Sequence, residues 1–323
     1  MHKQPYGVVL NDLRLPLDSS HSLGEGWELR RASAEQIAQI RPVIAGLYNA
    51  CMLSETPTPP PQEYLITGTA AACRFDPLPP EQWRYWTVHR GEGPGLHTVG
   101  FVEALALSDA ELFVDYWPNG EPDNAIPGRH KRIARPTAMT TFVHDSLAWE
   151  GPPPTVDLDE IRELVSLRTG LYEKAQPEIW RMLQLFTETS DLPERSKQKF
   201  LAYLAIIEGL LTHQPAPGDR VDSIGKQLRR NITLLDNRLP PHRKLELDKF
   251  GGTNPNKVID KLYNYRSAIA HGGNPEDVLD VIFEKRWPQP LTVLELHRFA
   301  RRITKRLLIA ALREPILVRD LKG

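Results

Sequence analysis

Cysteine is nearly absent: the chain has two in 323 residues, Cys51 and Cys73, and neither belongs to a CxxC pair. A disulfide framework or a cysteine-built zinc site is not expected, and a reducing cytoplasm is the natural compartment. Long apolar runs are missing as well. The longest, Leu307–Leu312, is far shorter than the roughly 20 residues that cross a bilayer, and Met1–Gly7 carries no secretory h-region. Neither a membrane span nor export is expected. The chain has no GxxxxGK[ST] phosphate loop, no HExxH helix and no GxSxG elbow, so nucleotide hydrolysis on a P-loop, zinc proteolysis and serine esterase chemistry are poor readings. No cofactor or metal is expected.

What is present describes an ordinary folded chain of about two domains, with 41% hydrophobic and 25% charged residues. The formal net charge of −1 hides an asymmetry: Lys and Arg against Asp and Glu give −6 over residues 1–155 and +5 over residues 156–323. Prolines divide likewise, with 18 of 29 before Thr155. Gly151-Pro152-Pro153-Pro154 reads as an extended linker between an acidic, proline-rich half (residues 1–150) and a basic, helix-rich half (residues 156–323).

In the first half, Ala34–Asn49 places Ile37, Ile40, Ile44 and Leu47 at helical spacing, interrupted by Pro42. Trp83–His89, His97–Leu107 and Glu111–Trp117 are rich in Val, Phe, Tyr and Trp and read as strands. An α+β domain, mostly β or mixed, is expected there. In the second half, Leu158–Thr187 is helical with a break or new start at Pro177. Pro193–Thr212 has Phe200, Tyr203, Leu204, Ile207 and Leu211 on one stripe. Asp219–Leu239 repeats Ile224, Leu228, Ile232 and Leu235, and Asn256–His271 repeats Val258, Leu262, Tyr265 and Ile269 before Gly272-Gly273 stops the helix. Leu291–Leu312 turns Leu296, Phe299, Ile303 and Leu307 inward. Such stripes must bury against one another, which predicts an all-α bundle.

One constellation in this bundle suggests chemistry: Arg266 and His271, an arginine and a histidine closing an amphipathic helix on the basic half. Arg84 and His89 have the same spacing, but Tyr85-Trp86-Thr87-Val88 between them is β-prone and disqualifies that pair. The run Lys261-Leu262-Tyr263-Asn264-Tyr265-Arg266-Ser267-Ala268-Ile269-Ala270-His271-Gly272 resembles the signature of HEPN domains, in particular the Apea-like group. Ala205-Ile206-Ile207-Glu208-Gly209-Leu210-Leu211 resembles that group's second helix with its glutamate. The resemblance covers about Leu158 to Leu312. It implies a HEPN-like helical bundle that pairs with a second copy, and a metal-independent endoribonuclease of phage defence or toxin–antitoxin systems. Arg266 and His271 would be its catalytic residues, with Glu208 and Ser267 accessory. Ser267 stands where many active members carry Asn, Asp or His.

The chemistry is sound on elementary grounds. Driving a ribose 2′-hydroxyl onto its own phosphate without a metal needs proton transfer and a cation for the developing charge. Histidine suits the first task and arginine's planar fork the second. Five residues on a helix turn 500°, however, leaving the two side chains about 140° apart. Two bundles packed about a twofold axis would bring two such pairs around one phosphate, so a homodimer through the C-terminal bundle is expected. Arg298, Arg301, Arg302 and Lys305, recurring with Arg306 at three- and four-residue spacing, form a face that could track an RNA backbone. Tyr263 could stack a base, whereas Tyr265 falls on the apolar stripe. The N-terminal domain would meet a trigger or an antitoxin. The alternatives are an RNA- or nucleotide-binding HEPN-like module that does not cut, and a dimerisation scaffold.

Overall fold

The structure, a computed structural model, describes residues 6–52, 60–69, 72–91, 97–109, 112–118, 156–193, 196–213, 223–247, 254–275, 278 and 289–322. The Gly151–Pro154 linker lies outside them. The chain divides into two units, Met1–Gly170 and Leu171–Gly323.

The first unit is built on a five-stranded antiparallel sheet in the order β2-β3-β6-β1-β7. Its strands are β1 (Tyr6–Val9), β2 (His21–Gly24), β3 (Trp27–Arg31), β6 (Trp86–Arg90) and β7 (Val114–Tyr116), while β4 (Tyr64–Thr69) and β5 (Ala72–Pro77) form a separate hairpin. Strands β2 and β3 join through Glu25-Gly26, both at positive φ (50° and 78°), the two-residue geometry that matches the strand twist and that glycine adopts without strain. Helix α1 (Ala34–Met52) runs through Pro42 and sets Ile40 and Ile44 against Tyr6, Val8 and Leu10, with Ile37 and Leu47 partly buried on the same cluster. On the opposite face Trp27 stacks on Phe101 of α2 (Thr98–Leu107), ring centroids 4.1 Å apart at 11°.

The expected strand at His97–Leu107 is thus a helix. Phe101, Glu103, Ala104, Leu105 and Leu107 are all buried, so the segment is apolar around most of its circumference and shows no amphipathic period to read. The strands expected at Trp83–His89 and Glu111–Trp117 do form, as β6 and β7.

Helix α3 (Leu158–Thr169), expected in the bundle, belongs to the first unit, whose boundary falls after Gly170 rather than near residue 150. Polar contacts hold it there. The Arg168 guanidinium pairs with the Glu103 carboxylate at 2.6 Å, both buried; Ser108 Oγ donates to Glu160 Oε2 at 2.7 Å; and Arg162 donates to the Ser22 carbonyl at 3.1 Å.

The second unit is helical: α4 (Pro177–Glu188), α5 (Lys197–Leu211), α6 (Ile224–Arg238), α7 (Pro255–Ala270), α8 (Gln289–Arg313) and α9 (Pro315–Asp320). Helix α5 is central and touches α4, α6, α7 and α8. Its stripe Phe200, Tyr203, Leu204, Ile207 and Leu211 is wholly buried. Ser196 Oγ caps its first turn by accepting from Lys199 N at 3.1 Å, and Asn254 Oδ1 caps α7 in front of Pro255. In α8 the whole circumference from Ile303 to Ala311 is buried. An antiparallel-sheet unit followed by a mostly helical one is therefore the observed architecture.

Candidate functional site

The site is set by the way three helices lock onto one another. Tyr265 on α7 packs edge-on against Phe200 of α5, centroids 4.8 Å apart, which fixes the rotation of α7. Arg229 of α6 grips Asp260 of α7 through Nη1 at 2.6 and 2.8 Å. The end of α5 is held by buried side chains of α6: Asn231 Nδ2 donates to the Leu211 carbonyl at 2.6 Å, while Gln227 both accepts from His213 N (2.9 Å) and donates to the His213 carbonyl (3.2 Å). These bonds occupy groups that a helix terminus would otherwise leave unpaired.

Within this frame Arg266 Nη2 donates to Glu208 Oε2 at 3.2 Å, joining α7 to α5 across 58 positions of sequence. The pair is mostly buried, with side-chain exposures of 29% for Arg266 and 17% for Glu208. The contact is single-pronged. Glu208 Oε1 is buried and has no hydrogen-bond partner among the described residues. Burial pushes the Glu208 carboxyl above its ordinary range, and the neighbouring Arg266 charge and hydrogen bond only partly reverse that. Tyr263, one turn before Arg266, lies with its ring centroid 5.9 Å from the guanidinium carbon.

His271 is the C-cap of α7 and is exposed. Its N–H donates to the Ser267 carbonyl at 3.0 Å. Gly272 follows at φ +72°, and Gly273 N donates to the Ala268 carbonyl at 2.8 Å. That six-to-one bond closes a Schellman motif, the stop that the double glycine predicts. Ser267 is half-buried and contributes its carbonyl to this cap.

The structure thus brings Arg266 and Glu208 together, and leaves Arg266 and His271 unjoined within one chain: among the described residues no hydrogen bond links them, in keeping with their 140° helical offset. Of the cationic face on α8, Arg298 is exposed and Arg301 and Arg302 are half-buried. Lys305 is 4% exposed and Arg306 8%, which corrects their expected outward placement. The second half of α8 is surrounded, so a spacing that suits a solvated face lies inside the bundle. Tyr263, which the sequence offers as able to stack a base, lies beside Arg266, three residues away on the same helix.

The rejected pair has structural roles. Arg84 holds Asp12 in a two-pronged contact at 2.6 and 2.8 Å and donates to the carbonyls of Pro61 and Tyr64. His89 Nε2 meets Thr87 Oγ1 at 3.0 Å, and burial lowers its pKa. Among the described residues no three His, Cys, Asp or Glu side chains converge as a metal site would, and no helix is long and apolar enough to cross a membrane. No family model matches the chain, no curated protein matches it, and no solved structure matches it.

Proposed function

We propose that the chain is a metal-independent endoribonuclease effector of the kind used in phage defence or toxin–antitoxin systems, acting in the cytoplasm at a site that two protomers share. The observation that carries the proposal is the Arg266–Glu208 pair: a guanidinium oriented by a buried carboxylate, partly open to solvent, at the end of a helix whose cap is an exposed imidazole. One N–H of the guanidinium fork is spent on Glu208, and the remainder suits phosphate oxygens.

The reaction is transesterification. The 2′-hydroxyl loses its proton to a base, the O2′–P bond forms, the P–O5′ bond breaks, and the departing 5′-oxygen takes up a proton, leaving a cyclic phosphate and a 5′-hydroxyl. His271 carries protons, Arg266 stabilises the pentavalent charge, and Glu208 is a positioning residue. Base and acid require two histidines, and each chain presents one at this position, hence the homodimer. The N-terminal unit is the element that meets a trigger or an antitoxin.

Cleavage of single-stranded RNA in excess chelator tests the proposal. The wild type cuts, whereas Arg266→Ala and His271→Ala do not, and His271→Ala still binds. Cleavage by His271→Ala at the wild-type rate refutes it. Because Arg266 and His271 are unjoined within one chain, a module that binds RNA or a nucleotide without cutting is the second reading. Salt-sensitive RNA binding with no cleavage by any variant would favour it. A dimerisation scaffold would bind no RNA.

A further inference from the structure

We propose that Tyr263 is a base-stacking residue that restricts the site to unpaired RNA; this deepens the ribonuclease reading and rests on it. Measured around α7 from Arg266, an ideal helix puts Tyr263 at about 60°, Ser267 at about 100° and His271 at about 140°. Along the axis Ser267 lies between Arg266 and His271, whereas Tyr263 lies about 4.5 Å before Arg266 and so flanks the guanidinium on the side away from the imidazole. A ribose-phosphate held by Arg266 and His271 therefore passes Ser267, and the nucleotide on the Arg266 side of it reaches Tyr263. The Tyr263 ring already lies 5.9 Å from the guanidinium carbon and is half-buried. Its neighbour Tyr265 is 1% exposed and committed to Phe200, so of the two tyrosines Tyr263 is the one with ring surface at the site.

An aromatic face beside a phosphate-gripping arginine offers one nucleotide both of its recognition elements, a stack for the base and a fork for the phosphate. A base inside a duplex is already stacked on its neighbours and cannot reach the ring, so loops, bulges and single strands are the substrates. Stacking reads no base edge. All four bases are accepted, and those that stack best are preferred.

The test measures binding of oligoribonucleotides by full-length protein in the non-cutting His271→Ala background. Loss of one stack weakens binding about fivefold to a hundredfold. Tyr263→Leu is expected to show that loss and Tyr263→Trp to retain affinity, with unchanged melting temperatures for both. An abasic nucleotide walked along the oligonucleotide weakens binding at one position, and that sensitivity disappears in Tyr263→Leu. Equal binding by Tyr263→Leu, while Arg266→Ala loses binding, overturns the stacking role and leaves the ribonuclease reading standing. Undiminished binding by Arg266→Ala overturns both.

Discussion

Replacing Glu208 by Gln separates what its charge does for stability from what it does for the site. The carboxylate is 17% exposed, one oxygen has no partner among the described residues, and the other makes one contact of 3.2 Å. Desolvation exceeds the compensation from Arg266, so the folded carboxyl has a pKa above its unfolded value. A group raised in this way contributes stability below its unfolded pKa, and that contribution is lost as pH rises through its folded pKa. Glu208→Gln keeps the shape and removes the charge. At neutral pH the variant is expected to be as stable as wild type or more stable, by about 0–1 kcal/mol. That advantage should vanish in acid, where both side chains are neutral, and develop as pH rises from the unfolded glutamate pKa through the raised folded one. Arg266→Ala instead strands the carboxylate and should cost about 1–3 kcal/mol at neutral pH. Each kcal/mol moves the melting temperature of a unit this size by roughly 2–4 °C, which calorimetry across pH resolves. RNA binding should fall in both variants, because Arg266 loses its orientation in one and is absent in the other. A Glu208→Gln protein that is less stable than wild type at neutral pH, by a margin that widens as pH rises, would refute this reasoning: the pair would then outweigh the burial.

Two further predictions concern the frame. Arg84→Ala leaves Asp12 without its two-pronged partner and takes one donor from each of the Pro61 and Tyr64 carbonyls, and should destabilise the first unit by about 3–5 kcal/mol in chemical unfolding; a loss under 1 kcal/mol contradicts the buried network. Gly272→Ala meets no atom within 4 Å, so its whole cost is the positive φ of +72°, about 1–2 kcal/mol. Gly272→Asn should cost less, since asparagine tolerates that conformation, and equal losses for the two would contradict the cap geometry.

Helix α5 was legible because its buried side carries a periodic stripe: Phe200, Tyr203, Leu204, Ile207 and Leu211 recur at three- and four-residue intervals and all lie inside. Segments buried on every side were not. Helix α2 has too little polar contrast to reveal its period, and β1, with all four residues Tyr6–Val9 buried, has no alternation to show. Lys305 and Arg306 were misplaced for the opposite reason, since cationic spacing implies a wet face and α8 continues into the core. Helix α3 displays an ordinary helical pattern, but its allegiance to the first unit depends on Arg168 meeting Glu103 across 65 positions, which no local pattern reveals. At the site, the residue types and the 140° offset of Arg266 and His271 were readable. The orphaned oxygen of Glu208 was not, because it depends on how α5 and α7 approach each other.

The central claim is that two protomers build one active site, and subunit mixing tests it most directly. Wild-type and His271→Ala chains are unfolded together, refolded and assayed in chelator over a range of wild-type fractions. If each site needs the histidines of both chains, mixed dimers are nearly inactive and activity falls as the square of the wild-type fraction, to about a quarter in an equal mixture. Activity that falls in direct proportion, to about half in that mixture, would mean each chain cuts alone and would contradict the account.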